Sequence, residues 1–168
     1  MIEATMHKRK KQVCDSWRMD ETYIKVGGKD RYLYRAVDKQ GNTVDFLLTK
    51  RRMKGSAQKF INKAIGNNGK PRLINIDKSG SNTEASRIIN RHSLTFKKIK
   101  TRRVKYLNNI VEQDHRTIKR RIAITTGFKE FESAQRTLAG IEIINIIRKD
   151  QLSNSKKSWF ATFKSLAA

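Results

Sequence analysis

The feature that most constrains this chain is a run of three strand patterns broken only by glycine turns, followed by a helical stripe and a fourth strand. Residues 16–26 are rich in aromatic and β-branched side chains and read as a strand. Gly27-Gly28 reverses the chain, residues 31–38 form the second strand, and Gly41-Asn42 turns the chain again. Residues 43–49 then alternate, with Val44, Phe46 and Leu48 on one face and Asp45, Leu47 and Thr49 on the other, Asp45 facing solvent. Ala57, Phe60, Ile61, Ala64 and Ile65 follow at helical spacing, opened by Ser56 and ended by Gly66 and Gly69-Lys70-Pro71. A strand entered through a helical crossover tends to run parallel to its neighbour, so residues 73–77 are expected parallel to an earlier strand. Ser81 to Glu84 has the form of a capping box, residues 94–99 read as a short fifth strand, and helices are expected over about 107–122 and 133–148.

The chain's 168 residues suit one core, and no apolar run approaches the roughly 20 residues that span a bilayer. The early basic run Lys8-Arg9-Lys10-Lys11 has no apolar stretch behind it, which argues against an export signal. One cysteine, Cys14, excludes an internal disulfide and a cysteine-based zinc site, and His7, His92 and His115 lack metal-ligand spacing. Charge says more: 38 Lys and Arg against 15 Asp and Glu give +23, which makes nucleic acid the default partner. The cations are spread along the chain and form no amphipathic basic helix, so a membrane surface fits less well. A protein binding nucleic acid by charge alone fits the composition equally.

Three carboxylates stand out from that basic background. Asp20 lies within the first strand, Asp77 ends the fourth, and Glu112 sits on the helix after it, with 34 residues between the last two (78–111). Carboxylates delivered from two strands and a helix are a donor set able to hold two magnesium ions. Three antiparallel strands, a helical crossover into a further strand, and helices afterwards describe an α/β, ribonuclease-H-like (retroviral-integrase-type) mixed sheet flanked by helices.

Trp17 to Tyr23 (WRMDETY), Tyr32 to Asp38 (YLYRAVD) and Tyr106 to Arg116 (YLNNIVEQDHR) together resemble the catalytic core of bacterial DDE transposases of the insertion-sequence-six family, over residues 15–149. The resemblance implies that Asp20, Asp77 and Glu112 are both the catalytic and the metal-binding residues of a magnesium-dependent recombinase, with two ions and with manganese as a substitute. Water is then the nucleophile in donor cleavage, and the freed 3′ hydroxyl in strand transfer. The partners implied are DNA, both element ends and target, and further copies of the chain on that DNA. The setting implied is the bacterial cytoplasm, at the nucleoid.

On the helix over 107–122, Leu107, Ile110, Val111, Ile118 and Ile122 share one stripe, while Glu112 and Lys119 stand in line two turns apart. The family places a DNA-contacting cation seven residues after its catalytic Glu, the position of Lys119. Arg116, Arg120, Lys105, Arg102 and Arg103 are further candidate DNA contacts within the basic stretch from Lys97 to Arg121, though a solvated helix face would look the same. Asp114 falls in the apolar stripe and is better read as a buried carboxylate held by a cation such as Arg35 or by backbone donors than as a fourth metal ligand. His115 reads as a packing or hydrogen-bonding residue ahead of a proton shuttle. Glu21, next to Asp20 in a strand, points to the opposite face. Trp17, Tyr32 and Tyr34 read as core ahead of base-stacking platforms, and Asp38 and Asp45 as structural.

Residues 1–14 are expected to be a short basic arm and 150–168 a C-terminal tail that docks or frays. About 15 residues precede the first strand, too few for the family's helix-turn-helix, so the chain is expected to be a catalytic core without that module, and truncated. A nuclease or resolvase of the same fold and a non-catalytic nucleic-acid-binding remnant remain as alternatives.

Overall fold

The computed structural model describes residues 2–76, 85, 87–91, 98–123, 127–155 and 158–167. Helix α1 (Ile2–Arg9) precedes strands β1 (Ser16–Val26), β2 (Lys29–Asp38) and β3 (Thr43–Thr49). Helix α2 (Lys54–Asn68), β4 (Leu73–Asn75) and β5 (Lys100–Arg102) follow. A 3-10 turn (Lys105–Asn108) then leads into helix α3 (Asn109–Ala123), before α4 (Phe131–Arg148) and α5 (Trp159–Ala167). The described strands form one mixed sheet in the order β3-β2-β1-β4-β5. The first three are an antiparallel meander, and β4 runs parallel to β1, as the crossover requires.

Gly27 and Gly28, with φ of 55° and 71°, make the first reversal. A hairpin turn with positive φ at both central residues matches strand twist, and glycine adopts it without steric cost. Strand alternation then sorts β1 between two cores. Trp17 and Met19 join Tyr34, Ala36 and the α2 residues Ala57, Phe60, Ile61 and Ala64 on one face. Ile24 and Val26 join Leu33, Phe46, Leu48, Ile118 of α3 and Ala134 and Leu138 of α4 on the other. Arg18 and Asp20 share the parity of Ile24 and so face α3.

Four local expectations are corrected. The β2–β3 register shifts between Ala36 and Val37, so Val44 packs on the α2 side while Phe46 and Leu48 pack on the other. Asp45 is buried, not solvent-facing: Lys63 Nζ lies 3.0 Å from its Oδ1 and Asn67 donates to its Oδ2 at 2.8 Å. Helix α2 has Met53 as its N-cap with no side-chain capping bond, since the Ser56 hydroxyl donates instead to the Arg51 carbonyl, and it runs through Gly66 to stop at Gly69. The fifth strand lies at Lys100–Arg102, just beyond the expected 94–99, while residues 92–97 lie outside those described, as does the expected capping box.

Residues 1–14 contain α1, whose Met6 is buried among Ile143, Ile146, Ile147, Leu152 and Leu166. The two ends also pair directly, Lys11 N donating to Gln151 O and Ser153 N to Arg9 O. Three of the four early cations are bonded within the chain: Arg9 to Ser165, Lys10 to Val44 O and Asn68, and Lys11 to Asp150.

Candidate active site

Asp20 sits on β1, which has β2 on one side and β4 on the other. Its side chain is 15% exposed, and Oδ2 lies 3.6 Å from His115 Nδ1 of α3. That contact fixes where α3 crosses the sheet. Glu112 lies three residues earlier on the same helix, so it stands about one turn, some 5 Å along the axis, from the point where α3 meets Asp20. Asp77 lies outside the described residues. What is described is the strand leading to it: β4 pairs with β1 up to Arg18↔Asn75, two residues before Asp20 on one strand and two before Asp77 on the other. Among the described residues no three His, Cys, Asp or Glu side chains converge on one point. The donors are nonetheless carboxylate oxygens, the hard ligands that a hard divalent cation prefers.

Burial, with the cations Arg35 and Lys119 nearby, pushes the His115 imidazole down to about 3. A neutral ring contributes no positive charge to the Asp20 carboxylate beside it. Arg35 poses the opposite problem, because it pairs directly across β2 from Asp20 and is fully buried. Glu142 of α4 takes this guanidinium by two bonds, Nε to Oε1 at 2.6 Å and Nη2 to Oε2 at 3.0 Å. Asp114 Oδ2 accepts from Nη2 at 3.3 Å and from Lys149 Nζ at 2.6 Å. Arg35 is thus held on two other carboxylates, in the bidentate geometry that suits a planar guanidinium.

The reading of Asp114 as a carboxylate held by Arg35 is borne out, with one correction. Its side chain is 21% exposed, whereas the neighbouring His115 is buried. Helix rotation explains the exchange: α3 turns Val111, His115 and Ile118 onto the sheet and leaves Asp114 at the rim beside α4. Glu21 points away from the site, pairing with Arg52. Trp17 and Tyr34 are core, and Asp38 accepts bonds from the backbone N–H groups of Cys14, Gln40 and Asn42.

Of the candidate DNA contacts, Arg116, Lys119 and Arg120 are exposed on α3, and Arg102 and Arg103 are exposed at and just after β5. The Lys105 side chain and Lys97 lie outside those described. Glu112, Arg116 and Lys119, at i, i+4 and i+7, share a helix face.

Two asparagines that sequence reasoning did not single out tie the site's elements together. Buried Asn75 donates to Asn108 Oδ1 at 2.6 Å and to Val104 O at 3.0 Å, and Asn108 Nδ2 reaches Met19 O at 3.4 Å. Asn108 therefore fixes the start of α3 to the residue before Asp20 and to the strand before Asp77. The available signal was Asn75 itself, a polar residue inside the apolar run Leu73 to Ile76.

This strand order, with carboxylates on β1 and on the helix that crosses it, defines a ribonuclease-H-like fold of the retroviral-integrase type. A chain of the simian T-cell lymphotropic virus intasome, solved in complex with PP2A regulatory subunit B56 gamma, superposes with a TM-score of 0.56 at 16% identity, covering 92% of this chain and 56% of that one. The catalytic core domain of BIV integrase superposes with a TM-score of 0.55 at 14% identity over 90% of this chain and 94% of that one. Those identities establish likeness of fold.

The family is narrower. The DDE_Tnp_IS240 model, described as a DDE domain, matches residues 14–151, and the chain belongs to this family of DDE transposase domains, within the insertion-sequence-six group. The transposase for insertion sequence-like element IS431mec of Staphylococcus aureus is 42% identical over 143 residues, covering 84% of this chain and 62% of the relative. The transposase for insertion sequence element IS257 in transposon Tn4003, also of Staphylococcus aureus, matches to the same extent. The chain thus spans 62% of the length of these curated relatives.

Proposed function

We propose that this chain carries the cutting and joining site of an insertion-sequence transposase, with Asp20, Asp77 and Glu112 as the residues that hold magnesium. The observation that carries this reading is the crossing of α3 over β1, where His115 meets Asp20 at 3.6 Å one turn from Glu112. In a DDE domain, that crossing supports two of the three carboxylates acting together. Bound magnesium supplies Lewis-acid stabilisation of the charge that develops on the phosphoryl oxygens. The chain's own residues hold and orient. Asn75 and Asn108 fix the spacing between the elements, Glu142 and Asp114 hold the Arg35 guanidinium, and the exposed cations of α3 and β5 take DNA phosphates. Water attacks the phosphodiester and the phosphorus–3′-oxygen bond breaks, the water's proton passing to solvent and the freed oxygen gaining one. The resulting 3′ hydroxyl attacks a target phosphodiester in the same way.

The test uses pre-cleaved and uncleaved DNA ends with magnesium. Asp20→Asn, Asp77→Asn and Glu112→Gln should each lower cleavage and strand transfer by about a thousandfold or more while DNA binding stays within a fewfold, because the amides remove anionic ligands and little else. Near-parental strand transfer by any one of them, with an active parent, would remove that residue from the site. Cleavage without joined products would favour a nuclease of the same fold.

A further inference from the structure

One residue beside the carboxylates, Tyr23, has no part in the chemistry above. Tyr23 is 57% exposed, an unusual position for a strand aromatic, and Lys119 Nζ stands 4.7 Å from its ring centroid. Together with Ile24, Ile122 and Ala123 they line a hollow of about 270 Å³ with mainly apolar walls. Among the described residues β4 pairs with β1 only as far as Arg18, so Tyr23 stands on a stretch of β1 beyond that pairing.

The placement relative to the site is specific. Tyr23 lies three residues beyond Asp20, about 10 Å along β1, and Lys119 lies seven beyond Glu112, about 10.5 Å along α3. Tyr23 leaves β1 on the face opposite Asp20, as Glu21 does, yet its ring lies 4.7 Å from Lys119 Nζ, so an aromatic face and a cation come to the same place. At the roughly 3.4 Å rise per nucleotide of a duplex strand, that place is about three nucleotides from the bond being cut. A ligand matching an aromatic face, apolar walls and an ammonium must be flat, largely apolar and anionic. A nucleotide is all three, and only an unpaired base exposes the face that stacks.

We propose that this hollow is a stacking subsite for an unpaired base near the DNA end, with Tyr23 carrying the base and Lys119 leaving the ring for the adjoining phosphate. The subsite rests on the functional reading above, in that a DNA strand must pass the carboxylates to reach it. Its chemistry is that of single-strand binding: sequence-tolerant stacking beside a backbone contact. It would favour DNA ends that are frayed or carry a single-stranded extension over blunt ends, and so help hold a strand open at the cut.

The test measures binding of the full chain, without magnesium, to two duplexes that differ only at one end, blunt or with a three-nucleotide single-stranded extension, each carrying 2-aminopurine in the terminal three positions. The parent should bind the extended end about tenfold more tightly, the factor that about 1.4 kcal/mol of stacking supplies, and quench the 2-aminopurine. Tyr23→Trp should keep both effects. Tyr23→Leu, apolar at an exposed position, should lose both while binding the blunt duplex within twofold of the parent. Unchanged preference and quenching in Tyr23→Leu, or equal binding of both ends by the parent, would overturn the subsite and leave the functional reading standing. Failure to bind either duplex would overturn both. Dissociation of an oligomer on Tyr23→Leu, read by light scattering, would assign the hollow to a second copy of the chain instead.

Discussion

The two faces of the sheet are built from the same strands in opposite ways. Toward α2, β1 presents Trp17 and Met19 to Phe60, Ile61 and Ala64, a close-packed apolar layer with its polar pairs, such as Lys63 with Asp45, at the β3 side. Toward α3 and α4, the alternate residues of β1 and β2 present Asp20 and Arg35, and the helices answer with His115, Asp114 and Glu142. The first face holds by volume and tolerates a change of shape. The second adds to its own apolar cluster a set of matched charges, and there it tolerates no change of sign, because a buried ion left alone costs far more than a cavity the size of a methyl group.

The sharpest way to break that contrast is a near-isosteric change on each side. Glu142→Gln removes no volume but strips Arg35 of its bidentate partner, and should cost about 3 to 5 kcal/mol in chemical denaturation. Ile61→Leu, which rearranges a branch within the α2 layer, should cost under about 1.5 kcal/mol. Comparable losses in the two variants would mean that charge matching contributes nothing special to the α3 and α4 face.

A second prediction probes a charge near the α2 end of the molecule. Lys10 bonds Asn68 of α2, and burial pushes its ammonium down from 10.5 to about 8. Its folded value lies below its unfolded one, so the folded chain releases this proton first. The handicap of burying the charge is therefore complete at neutral pH and shrinks as pH rises from about 8 toward 10.5. Measured against Lys10→Met, the parent should gain relative stability across that window, by about 3 kcal/mol at most, and a flat difference would show that Lys10 keeps its charge in the fold.

The smallest effect is expected at the rim of the charged face. Asp114→Asn weakens bonds to Arg35 and Lys149 but leaves a partly exposed side chain that solvent can reach. A loss of about 1.5 kcal/mol, or roughly 3 to 6 °C in melting temperature, should exceed that of any of the three amide variants of the carboxylates. An unchanged melting temperature would make Asp114 a bystander to the Arg35 network.

The apolar face was the easier one to read in advance. Residues 16–26 stand as a strand because Gly27-Gly28 ends them, and the Ala57 to Ile65 stripe had one plausible partner, the sheet before it. Where the reading slipped, a local irregularity or a distant partner was responsible. A single extra residue at Val44 turned that side chain to the α2 face, and periodicity cannot reveal a bulge. Glu142 appeared only as a carboxylate inside the apolar run Ile141 to Ile147, and its partner, 107 residues away, could not be named from spacing. Asp20, Asp77 and Glu112 were singled out by residue type and family likeness, but Asn75 and Asn108 are meaningful only through each other. Tyr23 shows the reverse limit, since aromatic residues in strands are read as core unless the structure exposes them.

The asparagine tie also bears on the order in which the molecule comes together. Met19 and Asn108 are 89 residues apart and Asn75 and Asn108 are 33 apart, so the geometry around the carboxylates closes only after long stretches of chain have been gathered. Contacts of that span carry a loop-closure cost that local helices and hairpins escape, and they belong to the slow end of folding. The excess of Lys and Arg needs no folding to attract phosphate. An incomplete copy therefore already carries its full excess of positive charge, while the spacing around Asp20 and Glu112 arrives only with the finished sheet.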